Sequence, residues 1–87
     1  MTPDQRSCAR HALGLPNGSR QSYRNHFCAP PCTTAHGQLS APVAAGHARR
    51  EQLRHDLDRF TLTASGARLA LDPGETLCPE DFPKVLP

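Results

Sequence analysis

The sequence contains no tryptophan and no isoleucine, and its large apolar side chains are few. Its leucines, valines and phenylalanines together make 15 of the 87 residues, a share below the fifth of the chain, roughly, at which disorder becomes a concern. The net charge of +2 is too low to unfold the chain by self-repulsion. We therefore expect one small domain that gains stability from a partner, from a second copy in a homodimer, or from a metal ion.

Long apolar runs are also lacking. No stretch approaches the ~18 apolar residues of a membrane span, and the first residues do not have the apolar segment of a signal peptide. We therefore expect a cytoplasmic protein without a membrane partner, in which the four cysteines are thiols or metal ligands rather than disulfides. No motif sets a base or an oxyanion hole beside a nucleophile, so we do not expect an enzyme.

Charge is unevenly placed along the chain. Residues 1–68 hold nine arginines against four carboxylates, whereas residues 69–87 hold one lysine against four carboxylates. A basic body with an acidic tail is compatible with contact to nucleic acid. It is equally compatible with an ordinary solvated surface.

The clearest predicted helix covers residues 2–13. Thr2 can cap its N-terminus and Gln5 completes a capping box, while Gly14 suits the left-handed position after the helix. A second helix is predicted from Thr33 or Thr34 onward to Gly46. Since Pro42 would lose a backbone hydrogen bond inside it, we expect this helix to break near Ser40.

Residues 47–59 allow two interpretations. Leu53 and Leu57 recur at helical spacing, and oppositely charged pairs four residues apart favour a helix. The alternative is a strand near Ala48–Arg50, followed by a wing loop that leads to Phe60. The local pattern leaves both open.

The stretch from Phe60 to Leu71 predicts a strand that runs into a short helix. Phe60 and Leu62 alternate with threonines, Thr63 can cap the helix, and Asp72-Pro73-Gly74 ends it. This arrangement resembles the end of a winged-helix domain, where the last wing strand feeds a closing helix. We predict an α+β, winged-helix-like domain over residues 1–76, helix-rich with a short two- or three-stranded sheet.

The remaining residues, 77–87, are predicted to form an extended, Pro-rich acidic tail. Leu77, Phe82 and Leu86 are the side chains that would hold this tail against the body.

Three segments together carry a family resemblance: Ala9–Asn17, Ser22–Phe27 and Phe60–Leu71 followed by Pro73-Gly74-Glu75. In this order they resemble a family of small uncharacterised proteins from phages and prophages of proteobacteria. The chain departs from that family at His36–Leu39, where a Trp-containing helix is expected, and in having cysteines. The resemblance implies phage origin and a winged-helix-like shape, but no known activity.

Two short pairs of residues have the chemistry of a zinc site: Cys8-x2-His11 and Cys28-x3-Cys32. Four such ligands suit a tetrahedral Zn²⁺, with His36 as an alternative fourth ligand, and a structural zinc would support so small a core. The alternative is that the thiols are buried or incidental, because Cys8 also fits the core face of its helix.

Two groups of residues are candidate partner or nucleic-acid contacts. Tyr23, Arg24 and Asn25, with His26, could form an exposed recognition surface, since arginine and asparagine read base edges; alternatively Tyr23 is core and its neighbours hold local hydrogen bonds. The second group is the arginines near the wing, which would contact phosphates or form a solvated face: Arg49, Arg50, Arg54 and Arg59.

The leading interpretation is a non-enzymatic, phage-derived inhibitor or modulator that acts in the host cytoplasm by protein–protein interaction. It would bind a host protein or protein–nucleic-acid complex, as anti-CRISPR and other anti-defence proteins do, an analogy of size and origin. The alternative is a DNA-binding winged-helix transcriptional regulator with a recognition helix around residues 34–45. A zinc-stabilised binding module is the third interpretation.

Overall fold

The computed structural model describes residues 1–30 and 33–82. Within them lie three helices and a three-stranded antiparallel open sheet, whose strand order is β1–β3–β2. The elements in chain order are α1 (Pro3–Leu13), β1 (Phe27–Ala29), α2 (Thr34–Ala44), β2 (Ala48–Arg54), β3 (Leu57–Leu62) and α3 (Ala64–Ala70). The predicted α+β class with a short sheet is therefore confirmed at this level.

Helix α1 begins and ends where the sequence predicts. The Thr2 hydroxyl accepts the Gln5 amide, the Gln5 side chain accepts the Thr2 amide, and Gly14 takes φ 78° at the C-terminus. These groups satisfy backbone donors and acceptors that a helix end otherwise leaves unpaired. Ala9 and Leu13 are fully buried and fix the helix to the core.

Helix α2 starts at the predicted cap, since the Thr33 hydroxyl accepts the His36 amide. The expected break near Ser40 is wrong, because the helix continues through Pro42 to Ala44. Pro42 lies in the last turn, where its missing amide leaves only one carbonyl of the preceding turn without its helical donor. The buried proline ring packs into the protein there.

Residues 48–62 form a β-hairpin: the predicted strand near Ala48–Arg50 is present but extends to Arg54, β3 begins at Leu57, and the helix interpretation of residues 47–59 is wrong. Gly46 ends α2 with φ 79°, and β2 then pairs with β3 from Ala48 opposite Leu62 to Arg54 opposite Leu57. The pairing register of the two strands shifts between Gln52 and Arg54. Tertiary pairing with β3 overrides the local helical spacing.

The strand-to-helix end forms as predicted. The Thr63 hydroxyl caps α3 by accepting the Gly66 amide. Gly66 lies directly against the backbone of His47, and a Cβ at this position would overlap the His47 carbonyl. This close approach sets α3 against the start of β2.

The core lies between the helices and one face of the sheet. Leu77 and Phe82 are buried in it, at 6% and 5% exposure, whereas Leu86 lies outside the described residues. Residues 79–81 form a turn, so the described part of the expected tail is not fully extended. Asp58, Phe60 and Leu62 of β3 face this core.

Candidate interaction surface

The helices cover one face of the sheet and leave the other open. Alternate residues of β3 are buried, so Arg59 and Thr61 point to the opposite face. Their pairing partners share that face: Cys28 and Glu51 lie opposite Arg59, and Arg49 lies opposite Thr61. This open face therefore carries Arg49, Arg59 and Cys28 of the predicted site residues.

The segment Ser22–His26 forms one wall of the open face because it caps the C-terminus of α1. The amide of Tyr23 donates to the Leu13 carbonyl, and the amide of His26 donates to the Ala12 carbonyl, both at 3.1 Å. Both carbonyls belong to the last turn of the helix, where they have no helical donor. The cap therefore fixes the backbone that presents the Tyr23 side chain.

Arg24 has a structural role in the same cap. Its Nε and Nη2 donate to the His11 carbonyl at 3.2 and 2.7 Å, and a cation suits this end of the helix dipole. Its guanidinium also lies 5.3 Å from the centroid of the Tyr23 ring. Tyr23 itself is 63% exposed and packs against Gly14, so it is not a core residue.

Asn25 is used by the fold. Its Nδ2 donates to the Leu62 carbonyl at 3.0 Å, and its Oδ1 accepts the Leu62 amide at 2.8 Å. The side chain thereby acts as one further residue of β1 beside β3. Because both ends of the amide are occupied, Asn25 is not placed to read a ligand.

Two adjoining cavities run along this wall and the open face. The smaller, of about 240 Å³, is lined by His11 and Phe27 together with three residues that it shares with the larger one. The larger, of about 500 Å³, extends from the wall to the hairpin. Its lining residues are Tyr23, Arg24, Asn25, His26, Cys28, Leu53, Arg59, Thr61 and Asp81. We call the two cavities together the sheet groove.

Leu53 is the exposed apolar side chain among the groove residues that the sequence analysis did not predict, which also include Phe27, Thr61 and Asp81. It is 44% exposed at the irregular end of β2. In the helical interpretation it belonged to a buried stripe with Leu57, and only the hairpin register places it beside Tyr23 and Arg59. No local signal in the sequence carries that register.

The four hairpin arginines differ in their surroundings. Arg59 pairs with Glu51 at 2.7 Å, and its Nε is buried without a hydrogen-bond partner in the described part of the chain. Arg54 pairs with Asp56 at 2.7 Å, with both side chains well exposed. Arg49 and Arg50 are exposed and take part in none of the ion pairs found within residues 1–30 and 33–82.

The arginines of α1 are bound internally. Arg10 donates to Glu75 through both terminal nitrogens and to the carbonyl of Ala70, the last residue of α3. Arg6 similarly binds Asp72 and the Leu69 carbonyl. The hydrogen bond from Arg10 lowers the pKa of Glu75 to about 2, and the bond to Glu75 raises the pKa of Arg10. Asp72 and Glu75, which precede the predicted tail, thus neutralise part of the basic body.

A histidine–carboxylate pair lies on the helix side of the sheet. His36 Nε2 is 2.7 Å from Asp58 Oδ2, and the imidazole ring meets the Phe60 ring edge-on at 5.1 Å. A cavity of about 270 Å³ beside the pair is lined also by Arg50 and Gln52. The pair forms a polar contact between α2 and β3.

Cys8 and Cys28, two of the cysteines of the predicted zinc site, lie in different surroundings. Cys8 packs against the cluster of Ala29, Leu39 and Phe60, and burial raises the pKa of its thiol. Cys28 is exposed on the open face, near His11. No group of three or more metal-ligating side chains occurs among the residues that the structure describes. Cys32 lies outside them, so the zinc site stays a prediction, which metal analysis of wild type and Cys28→Ser would test.

Comparison with protein-family models, with curated proteins and with solved structures gave no match for this chain. In the described residues, no helix has the length and apolar character needed to cross a membrane.

Proposed function

We propose that the protein is a phage-derived, non-enzymatic binding protein that modulates a nucleic-acid-handling complex of the host. The sheet groove and the adjoining hairpin would form its interface. The observation that carries this proposal is the combination of an exposed Tyr23, a half-exposed Leu53 and several arginines on one open surface. Tyrosine and arginine are the residue types that most often dominate the energy of protein interfaces.

The charges on the surface favour a protein partner over a bare phosphate backbone. Glu51 and Asp56 already neutralise Arg59 and Arg54, and Asp81 lines the groove. A phosphate chain lying there would meet these carboxylates, whereas a protein can offer both signs of charge and an apolar contact for Leu53. The mode of action would be occlusion of a working surface on the host complex.

The fold has further features in common with a winged helix, and we include that assignment in the proposal. A hairpin follows α2, its second strand runs directly into α3, and the strand order places β3 in the middle. The fold differs from a winged helix that contains a helix-turn-helix module, because that module would need two helices between β1 and β2. The described residues contain the single helix α2 there.

Capture of the tagged protein from nuclease-treated proteobacterial lysate tests the proposal. We expect a stoichiometric protein complex that survives nuclease treatment. The double variant Tyr23→Ser/Leu53→Ser should weaken its capture at least about tenfold. The matched control is Leu69→Ser, because Leu69 is 48% exposed on α3, away from the groove. Equal capture by both variants would contradict the proposed interface.

Direct DNA binding is the second candidate function, favoured by Arg49 and Arg50 on the exposed hairpin. Helix α2 offers it limited support, because its residues Thr34–Ala44 include no arginine or lysine for phosphate contacts, and Gln38 is its single amide side chain that could read a base. If DNA is bound, affinity should fall steeply with salt and be lost in Arg49→Ala/Arg50→Ala. An absence of binding at ~50 mM salt would exclude this function.

A further inference from the structure

Strand β2 forms an edge of the sheet that nothing in the described part of the chain covers. It pairs only with β3, in the order β1–β3–β2, and every residue of Ala48–Arg54 except Ala48 is exposed. A long exposed edge presents unpaired amides and carbonyls to any extended chain that approaches. Such an edge is the binding element of proteins that recognise a peptide as an added strand.

Hydrogen bonds at the end of the hairpin show which residues of β2 point outward. The Thr63 amide donates to the His47 carbonyl, so these two residues form a hydrogen-bonded pair. Such pairs alternate along an antiparallel ladder. Arg49 and Glu51 are therefore the next residues that bond to β3, whereas Arg50 and Gln52 direct their amides and carbonyls to the free edge.

The other side of β3 supports this assignment. In the same alternation, Leu62 must turn its amide and carbonyl away from β2. Both groups bond to the Asn25 side chain: its Oδ1 accepts the Leu62 amide, and its Nδ2 donates to the Leu62 carbonyl. The bonds at the Ala48–Leu62 end of the ladder thus indicate the outward direction of Arg50 and, by continued alternation, of Gln52.

The charge of the edge selects the chemistry of its occupant. Strand β2 carries three arginines and one glutamate, and that glutamate, Glu51, is held by Arg59. A second copy of the chain pairing edge to edge would bring arginines of both copies together, which opposes self-association. An extended segment rich in aspartate or glutamate would instead be attracted to Arg49 and Arg50, which belong to no ion pair within the described ranges.

We propose that β2 binds an acidic, extended segment of a partner protein as a fourth strand of the sheet. This inference rests on the proposed function and names the chemistry of the partner. Arg50 and Gln52 supply the backbone hydrogen bonds. Arg49 and Leu53 contact the segment's side chains on the open face, and Arg50 contacts those on the helix side.

The test uses the whole protein and a labelled short peptide that alternates valine with glutamate. The variant Gln52→Pro removes one outward amide without a change in charge, and it is compatible with an edge strand whose amide faces solvent. We expect it to weaken peptide binding about tenfold, measured by fluorescence anisotropy. Gln52→Ala keeps the amide and should bind like the wild type. An unchanged melting temperature would show that both variants are folded.

Amide hydrogen exchange gives a second readout. Peptide binding should protect the amides of Arg50 and Gln52, while Arg49 and Glu51 keep the protection they already have. The proposal is overturned if the peptide does not bind at about 1 mM, if a lysine-for-glutamate peptide binds equally, or if Gln52→Pro binds like the wild type. It is also overturned if the chain dimerises through β2 and excludes the peptide.

Partner capture distinguishes this inference from the proposed function. If Gln52→Pro still captures the partner fully, the edge is not the binding element and the proposed function stands. If the wild type binds the acidic peptide but captures no partner, the edge proposal stands and the proposed function fails.

Discussion

Arginine serves two different purposes in the α1–α3 region and in the β2–β3 hairpin. At α1, Arg6 and Arg10 bind carboxylates and the last carbonyls of α3, and the Arg10 and Glu75 side chains are only 11% and 7% exposed. On the hairpin, Arg49 and Arg50 are exposed, and neither belongs to an ion pair within the described ranges. A count of basic residues therefore says little about which of them are available to a partner.

Among the variants that test this difference, Arg10→Ala should have the largest effect on the free energy of unfolding. Removing the arginine leaves the Glu75 carboxylate nearly buried and without its main partner, which should lower the free energy of unfolding by roughly 2–3 kcal/mol. Urea denaturation measures the change. The double variant Arg10→Met/Glu75→Met should lose less than the sum of the single variants, because no isolated charge remains. Strict additivity would show that the pair is not coupled.

Low pH should destabilise the same region by protonating Glu75. The pKa of Glu75 is lowered to about 2 from an ordinary value of 4.5, so its contribution to stability is complete above the higher value. That contribution is lost as the pH falls from about 4.5 to about 2, where the folded carboxylate takes up its proton. Melting temperatures should therefore decline over this interval, and the decline should be shallower in Glu75→Gln. Parallel declines in both proteins would contradict the assignment.

Within the wall of the sheet groove, Asn25→Ala and Tyr23→Ala should separate structural from binding roles. Asn25→Ala leaves the amide and carbonyl of Leu62 without their partners, which should cost about 1–2 kcal/mol of stability. Tyr23→Ala removes a side chain that is 63% exposed, so its effect on stability should stay within about 0.5 kcal/mol. Chemical denaturation measures both. A larger loss of stability in Tyr23→Ala than in Asn25→Ala would mean that Tyr23 is part of the core.

The smallest stability effects are expected on the hairpin. Arg50→Ala and Arg54→Ala should each change the free energy of unfolding by less than about 0.5 kcal/mol, since Arg50 is an exposed side chain outside the described ion pairs and the Arg54–Asp56 pair is well exposed. Thermal denaturation checks this. A loss comparable with that of Arg10→Ala would remove the distinction between the two regions.

The sequence predicted those elements that depend on neighbouring residues. The capping box of Thr2 and Gln5, the cap at Thr63 and the ends of α1 need only contacts within a few positions, so their signals are local. Residues 47–59 were ambiguous because an apolar spacing of four fits a helix and also one face of a strand. Only pairing with β3, seen in the structure, decides between them.

The candidate surface was harder to predict because its contacts span long stretches of chain. Arg24 bonds to a carbonyl 13 positions away, and Asn25 to a residue 37 positions away. Nothing near these residues in the sequence shows that they support the fold. Similarly, Arg10 pairs with Glu75, and their separation of 65 positions means that no local pattern predicts the contact.

We expect the arginines that bind the partner to be those of the hairpin. Partner capture by Arg49→Gln/Arg50→Gln, compared with Arg20→Gln/Arg68→Gln, tests it most directly, because both double variants lose the same charge. Arg20 and Arg68 are exposed outside the hairpin. The hairpin variant should lose most of the captured partner, and the matched variant should retain it. Equal capture by the two variants would contradict the claim.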